Sequence, residues 1–161
     1  MEIEYEKMTI EHCEAFLDIY NYYSINDFSV FSDIEIPTQG FKNLLQSIQN
    51  YPAFAIKFDK IIVGFCYLNP FAPSSVFNES AEASIYIHKD FIMKRIGRYA
   101  LIKMEKEAIS IGIKNLFVRI VSKNPYMSIR NKFGYIECAR FKNVGKKFND
   151  YFDIIWLQKE L

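Results

Sequence analysis

The stretch SAEASIYIHKDFIMKRIGRYALIKMEKEA, residues 80–108, runs from an alternating segment through a basic turn into a helical repeat. In its first part, Glu82 and Ser84 alternate with apolar residues, which is the period of a β-strand. From Ile96 onward the apolar residues recur at helical spacing, and Gly112 is typical of a helix end. The stretch therefore predicts a strand, a turn and a helix in immediate succession.

The turn carries Lys94, Arg95 and Arg98 close to a single glycine, Gly97. A helix N-terminus has unpaired N–H groups and a dipole that attracts anions, so cations placed there are stabilised by an anionic partner. Two interpretations remain open: the turn binds a phosphate group, or it is a solvated basic patch beside Asp90.

Glu82 places a carboxylate in a strand that otherwise has an interior composition. Such a carboxylate must be paired, protonated or exposed to a cleft, because an isolated buried charge is costly. Glu82 is therefore either a structural ion-pair residue or a functional carboxylate in a cleft.

Length and composition indicate one globular domain. The chain has 161 residues, of which 50% are hydrophobic and 17% aromatic, and its net charge of +1 gives no general attraction to nucleic acid or membranes. Its cysteines and histidines form no disulfide or metal-ligand pattern: Cys13, Cys66, Cys138, His12 and His88. No apolar run approaches the ~20 residues of a membrane helix. We predict a cytoplasmic protein with no metal, no nucleic-acid partner and no membrane anchor.

The remaining patterns predict an α+β fold in a single domain over 1–161, with helices on both faces of a mixed sheet. A hairpin is predicted at Asp59-Lys60, an extended segment over 28–38, and a final antiparallel pair of strands. The first helix follows Thr9. Its predicted buried face consists of Ile10, Cys13, Phe16, Leu17 and Tyr20.

Three parts of the chain, in this order, resemble one known family. They are DIYNYY (18–23) followed by SVFSDIEIP (29–37), VGFCYLNPFAPSSVFNESAEASIYIHKD (63–90), and VGKKFNDYFDIIWLQ (144–158). They are similar to the GCN5-related N-acetyltransferases (GNAT), and more closely to the phosphinothricin/methionine-sulfoximine acetyltransferase branch. The resemblance implies a mostly antiparallel sheet with a splayed central strand pair. It also implies an acetyl-CoA-dependent enzyme that acetylates a small-molecule amine.

The resemblance assigns roles to individual residues. Glu82 matches the general base, which takes the proton of the attacking amine. Backbone groups of Ile85, Tyr86 and Ile87 would hold the pantetheine, and Asn124 matches an asparagine near the cofactor. The pyrophosphate would bind to the turn formed by Met93, Lys94, Arg95, Ile96, Gly97 and Arg98.

Two positions depart from the family pattern. Arg95 stands where the family has a glycine, and a side chain in that conformation costs ~1–3 kcal/mol, which charge-assisted bonds to phosphate would offset. Arg130 stands where the family has a tyrosine or histidine that protonates the leaving thiolate. Since arginine is a poor proton donor, either Arg130 acts electrostatically, or Tyr126 is the donor, or Arg130 is a surface residue with no role.

The acceptor loop also departs from the pattern. Where the branch usually has Phe-Arg-Pro-Arg, this chain has Phe71-Ala72-Pro73-Ser74, which with Glu82 and Ser84 forms the predicted substrate site. Loss of both arginines argues against an anionic, amino-acid-like acceptor and favours an apolar or cationic amine. Aromatic residues that suit such a pocket, or are simply core, are Phe71, Phe77, Tyr22 and Tyr23.

The leading hypothesis is direct acetyl transfer from acetyl-CoA to a small amine, with Glu82 as base and no acyl-cysteine intermediate. The alternative is a degenerate relative that binds CoA or a nucleotide without turnover. A nucleic-acid-binding domain that uses the basic turn with Lys146 and Lys147 is less favoured at this net charge. The aromatic stretch 148–156 fits either a homodimer interface or a strand core.

Overall fold

The computed structural model describes residues 2–125 and 133–161, and in these residues seven strands form one sheet. The strands are β1 (Ile3–Lys7), β2 (Ala53–Phe58), β3 (Ile61–Pro70), β4 (Ser80–Ile87), β5 (Asn115–Val121), β6 (Ile136–Lys147) and β7 (Asp150–Glu160). The α-helices are α1 (Cys13–Asn26), α2 (Thr38–Ser47) and α3 (Ile96–Ser110). Short 3-10 helices lie at Ile10–His12, Ser75–Phe77 and Lys89–Lys94. None of the helices described is long and apolar enough to cross a membrane.

The sheet order is β1-β2-β3-β4-β5-β7-β6. Neighbouring strands are antiparallel except β4 and β5, which run parallel. The predicted α+β fold with a mostly antiparallel sheet is therefore confirmed. The parallel pairing extends only from Ser80 opposite Asn115 to Glu82 opposite Phe117, and the two strands separate beyond that point. This separation is the splayed central pair that the resemblance implied.

Helices cover both faces of the sheet. On one face, Met104 of α3 belongs to the same hydrophobic cluster as Ala83 of β4. On the other face, α1 and α2 contribute Phe16 and Phe41, whose rings lie 4.8 Å apart. Because side chains alternate along a strand and Ala83 packs in the α3 cluster, Glu82 lies on the opposite face of β4, toward α1 and α2.

Two predictions for the first half of the chain are wrong. The segment 28–38, predicted as extended, consists of bends and irregular backbone as far as Pro37, and α2 begins at Thr38. The side-chain amide of Asn21 in α1 hydrogen-bonds to both the N–H and the backbone oxygen of Ile36. These backbone groups would pair with a neighbouring strand if the segment belonged to a sheet. Ile10 is 48% exposed, because the chain passes through a 3-10 turn before α1 begins. The buried face of α1 includes Phe16, Ile19 and Tyr23.

Lys147 connects the last hairpin to α1. Its side chain is 4% exposed, and its Nζ donates to the backbone oxygens of Tyr23 at 3.1 Å and Val30 at 3.4 Å. The Tyr23 hydroxyl in turn donates to the backbone oxygen of Ile87, the last residue of β4, at 2.5 Å. Lys147 is therefore a structural cation that orders the α1 end, and it is not available to the nucleic-acid surface considered above.

Candidate active site

Backbone groups of β4 line the opening between β4 and β5. β4 pairs with β3 along nearly its whole length, and just beyond it the N–H of His88 bonds to the backbone oxygen of Val63 at 2.7 Å. Hydrogen-bonded pairs alternate along an antiparallel ladder. Tyr86, two residues before His88, therefore also bonds to β3, whereas Ile85 and Ile87 direct their backbone groups toward β5.

Because β5 has separated at this level, Ile85 has no strand partner on that side in the pairing described. The backbone oxygen of Ile87 is occupied by the Tyr23 hydroxyl. Within the part of the chain that is described, the backbone groups of Ile85 and the N–H of Ile87 are therefore directed into the opening rather than to a neighbouring strand. The expectation for Tyr86 needs correction, since its backbone bonds to β3 and only its side chain is left to face a ligand.

The basic turn is a 3-10 helix over Lys89–Lys94 that leads directly into α3. Arg95 joins them with φ 60° and ψ 13°, in the left-handed region that favours glycine. No side chain caps α3 and no acidic residue lies in its first turn. The N–H groups of Ile96 and Gly97 are therefore free of capping side chains at a terminus that attracts anions.

Packing within the protein does not require a glycine at position 97. A Cβ on Gly97 would lie 3.9 Å from its nearest neighbour, Cγ1 of Ile87, which is an ordinary van der Waals contact. No other atom of the described residues lies within 4 Å of that Cβ position, so these residues leave room for a phosphate group to approach the backbone there.

The cations of the turn are exposed, but two of them lie over aromatic rings. Lys94 Nζ is 4.6 Å from the ring centre of Phe58, and the Arg98 guanidinium is 5.4 Å from that of Phe133. Neither these two nor Arg95 pairs with a carboxylate among residues 2–125 and 133–161. An anion that reaches the turn therefore has no internal ion pair to displace.

On the α1–α2 face, Glu82 meets a cation from the neighbouring strand. The Glu82 side chain is 13% exposed, and its Oε1 accepts a hydrogen bond from Nε of Arg119 at 3.1 Å. Arg119 lies two residues beyond Phe117, the last partner of Glu82 before β4 and β5 separate. Burial raises the pKa of Glu82 above its ordinary 4.5, and the Arg119 charge opposes this rise. Glu82 is thus both ion-paired and at the edge of the opening.

Aromatic rings surround this ion pair. The Arg119 guanidinium lies 4.7 Å from the ring centre of Phe31 and 5.4 Å from that of Trp156. Phe71 packs on Phe117 and Trp156, with ring centres 4.7 and 5.9 Å away. Phe71, from the predicted acceptor loop, therefore lies next to the ion pair.

The other predicted acceptor residues are more dispersed. Ala72 is half-buried, and Pro73 and Ser74 are exposed in the loop. Ser84 lies on the same face of β4 as Glu82, and its Oγ accepts a hydrogen bond from Nδ2 of Asn69 at 2.9 Å.

The predicted aromatic set separates into two groups. Phe77 packs on Phe71, with ring centres 5.6 Å apart. Tyr22 lines a different cavity that includes His88, and Tyr23 is buried where it bonds to the end of β4. The two tyrosines therefore lie apart from Phe71 and Phe77.

A groove of about 440 Å³ lies between α1, α2, β3 and β4, on the same face of the sheet as Glu82. Its lining includes Tyr20, Tyr67 and Tyr86, whose rings contact one another. Burial raises the pKa of each of these phenols, so they are neutral at pH 7. The Arg119 charge acts on Tyr20 and the Glu82 charge acts on Tyr67, so the groove and the ion pair share one environment.

At the other strand of the opening, the N–H of Asn124 donates to the backbone oxygen of Val121, the last residue of β5, at 3.0 Å. Asn124 thereby lies at the same end of the parallel pair as Ile87. Tyr126 and Arg130, the predicted thiolate partners, lie outside the described residues. The part of the chain that is described contains no cluster of three or more His, Cys, Asp or Glu suited to a metal ion.

Sequence reasoning missed Arg119, Phe31 and Trp156. A charge in the apolar run NLFVRIV was a signal for Arg119, of the same kind as the carboxylate in β4. Trp156 lies opposite Arg119 in the pairing of β5 with β7, which depends on a strand order that sequence patterns do not reveal. Phe31 belongs to the segment that was wrongly predicted as extended.

Comparisons with known proteins agree with this geometry. The family model for the acetyltransferase (GNAT) domain matches residues 7–156. An L-amino acid N-acyltransferase of Escherichia coli is 22% identical, covering 92% of this chain and 88% of its own. An L-methionine sulfoximine/L-methionine sulfone acetyltransferase of Salmonella typhimurium is 24% identical, covering 92% and 89%.

A solved structure extends the likeness to the fold. It is a GNAT-superfamily phosphinothricin acetyltransferase from Sinorhizobium meliloti in complex with AcCoA, with a TM-score of 0.92. The structural match covers 100% of this chain and 89% of the S. meliloti chain, and the two sequences are 17% identical. The chain belongs to the acetyltransferase (GNAT) domain family, and it is an acyltransferase. Within that family it is similar to the methionine-sulfoximine and phosphinothricin acetyltransferases, which confirms the resemblance predicted from its sequence.

Proposed function

We propose that this protein is an acetyl-CoA-dependent N-acetyltransferase that acetylates a small-molecule primary amine by direct attack on the thioester. One observation carries the proposal: Glu82 and the unpaired backbone groups of Ile85 lie on the same strand, at the point where β4 and β5 separate. A carboxylate and the strand edge proposed to bind pantetheine would then share one opening.

The chain's own residues fit acetyl-CoA, which supplies the acetyl group as a reactive thioester. Ile85 and Ile87 would bind the pantetheine amides through their backbone groups. The uncapped start of α3 would bind the pyrophosphate, with room at Gly97 for close approach. Arg95 and the other cations of the turn would add charge-assisted bonds of about 1.5–3 kcal/mol each.

Glu82 is the proposed general base. An alkyl amine with a pKa near ~10 is an ammonium ion at pH 7, and freeing it costs about 4 kcal/mol. Glu82 would take this proton as attack begins, and burial strengthens it as a base because it raises its proton affinity.

Arg119 narrows the class of acceptor expected from the sequence. Its charge beside Glu82 disfavours a second positive charge on the acceptor. Phe71 and Trp156 offer apolar surface at the same place. We therefore infer an acceptor with one amine and an apolar or aromatic body, rather than a polyamine.

A relative that binds CoA without turnover is the second candidate. The observation that favours it is that Oε1 of Glu82 is already occupied by Arg119. The homodimer, the cytoplasmic location and the domain limits 1–161 stay predictions.

The test is thiol release from acetyl-CoA with a panel of primary amines, on wild type, Glu82→Gln and Glu79→Gln. Glu79 is a matched control, since it is an exposed carboxylate three residues earlier that pairs with Lys114. We expect Glu82→Gln to lose about 10²–10⁴-fold in rate. Calorimetry should show unchanged acetyl-CoA affinity, and Glu79→Gln should behave as wild type.

Other outcomes have distinct meanings. Acetyl-CoA binding without turnover of any amine would favour the second candidate. An absence of acetyl-CoA binding at millimolar concentration would contradict both.

A further inference from the structure

The environment of Glu82 poses a difficulty for a base. Its side chain is 13% exposed. Burial favours the protonated acid, which cannot accept a proton from an amine. A base in this position needs a neighbour that keeps it ionised.

Arg119 is placed to meet this need. Its Nε–H donates to Glu82 Oε1 at 3.1 Å, which is the one ion pair of Glu82 in residues 2–125 and 133–161. The contact spans the point where β4 and β5 stop pairing. The Glu82–Arg119 ion pair therefore joins β4 to β5 through side chains, at the level where the backbone pairing of the two strands ends.

The orientation of Arg119 is set by rings on two other elements. Phe31 comes from the α1–α2 connection, and Trp156 comes from β7, where it lies opposite Arg119 in the strand pairing. A guanidinium packed against aromatic faces is restricted in its rotation. Its remaining N–H groups still reach solvent, since the side chain is 39% exposed.

The other titratable groups near Glu82 are uncharged at neutral pH. They are Tyr20 on α1, Tyr67 on β3 and Tyr86 on β4, and burial raises the pKa of each phenol. Trp156 on β7 and Phe31 on the α1–α2 connection carry no titratable group. Arg119 is therefore the charge that acts on Glu82 within the part of the chain that is described.

We propose that Arg119 is a positioning residue for the reaction, which holds the Glu82 carboxylate ionised and in one orientation. This proposal rests on the proposed role of Glu82 as base. It assigns Arg119 no contact with the acetyl group.

The first test is the pH profile of kcat/KM for wild type, Arg119→Met and Arg119→Lys. Because Glu82 must be ionised to act, the rate rises with pH through its pKa, which lies above 4.5. An adjacent arginine lowers a carboxyl pKa by roughly 1–3. Arg119→Met keeps the apolar contact with Phe31 and Trp156. The acid limb of its profile, which is the range where kcat/KM falls as the pH is lowered, should therefore lie about 1 pH unit or more above that of wild type.

The expected pattern separates positioning from packing. Below its acid limb, Arg119→Met should be slower than wild type by about tenfold for each pH unit that separates the two limbs, and it should recover at alkaline pH. Arg119→Lys should bring the limb part of the way back, because it returns the charge without the planar hydrogen-bonding geometry. Lys114→Met, a matched loss of an exposed cation at the start of β5, should leave the profile unchanged.

A second measurement does not depend on turnover. NMR titration of carboxyl-labelled glutamate, with the Glu82 signal assigned by its loss in Glu82→Gln, gives the Glu82 pKa directly. A higher value in Arg119→Met than in wild type supports the proposal. Equal values, or acid limbs that coincide while the rate falls at every pH, would overturn it. A wild type that acetylates no amine defeats the proposed function instead, and the NMR titration then still decides whether Arg119 keeps Glu82 ionised.

Discussion

The two edges of β4 differ in what they bond to. The edge facing β3 is paired with it from Ala81 to Ile87, whereas the edge facing β5 is paired only from Ser80 to Glu82. The closed edge has its hydrogen bonds satisfied within the protein. The open edge leaves Ile85 without a strand partner on that side among the described residues, beside a helix start that no side chain caps. Changes at the closed edge should therefore cost stability, and changes at the open edge should cost affinity.

Two glycines near Ile87 report on these two edges. Gly64 lies on β3 directly opposite Ile87, and a Cβ there would be 2.5 Å from the backbone oxygen of Tyr86. Gly97 is the second residue of α3, and its Cβ would meet no described residue closer than 3.9 Å. The fold thus requires one glycine and not the other.

The largest expected effect is at the closed edge. Gly64→Ala should destabilise the protein by about 1–3 kcal/mol, because the added methyl overlaps strand backbone that cannot rotate away. Denaturant unfolding measures this loss as a lower midpoint with an unchanged slope. An unaltered midpoint would mean that β3 and β4 can separate slightly at no cost, and the comparison of the two edges would fail.

The next effect is at the open edge. Gly97→Ala should raise the acetyl-CoA Kd about tenfold, or ~1.4 kcal/mol, because the methyl occupies the space proposed for the pyrophosphate. Its unfolding midpoint should be unchanged or higher, since alanine is favoured over glycine in a helix by up to about 1 kcal/mol. Calorimetric titration and unfolding on the same sample give both numbers. If affinity does not change, the pyrophosphate is not bound at the start of α3.

The smallest effect concerns backbone strain in the turn. Arg95→Gly and Arg95→Ala both remove the cation, but only glycine relieves the φ of 60°. Arg95→Gly should be more stable than Arg95→Ala by roughly 0.5–1 kcal/mol, after the greater freedom of glycine in the unfolded chain is deducted. The measurement is the difference between their thermal unfolding curves. Equal stability would show that this conformation carries no strain.

The features predicted well from sequence are those set by local backbone geometry. The Asp59-Lys60 turn adopts φ values of 49° and 69°, and Gly112 ends α3 with φ 84°, as the turn and helix-end signals indicated. The alternation in β4 also predicted that Glu82 and Ser84 lie on the face opposite to the apolar residues between them. The segment 28–37 was wrongly predicted because its extended pattern has no strand to pair with, and side chains of α1 bond to it instead.

The site was only half predicted, because its partners are distant in the chain. Glu82 could be identified from its own strand, but Arg119 meets it from 37 positions away. That contact depends on the parallel register of β4 and β5, and the Trp156 contact depends on β7 lying beside β5. Tyr86 shows a further limit of prediction from sequence. Its backbone points away from the opening because of the register of β4 on β3, which the sequence does not reveal.

The position of β7 has a consequence for how the protein is made. β7 is the last strand in the chain, yet it lies inside the sheet between β5 and β6. During synthesis β5 and β6 leave the ribosome first, and both β6 and the edge of β5 that faces β7 have no strand partner until β7 follows. Trp156, which lies over Arg119, comes with that last strand. The aromatic surface over Arg119 therefore forms only after β7 has been synthesised, and until then a nascent chain that already contains Glu82 exposes strand edges that are prone to aggregate.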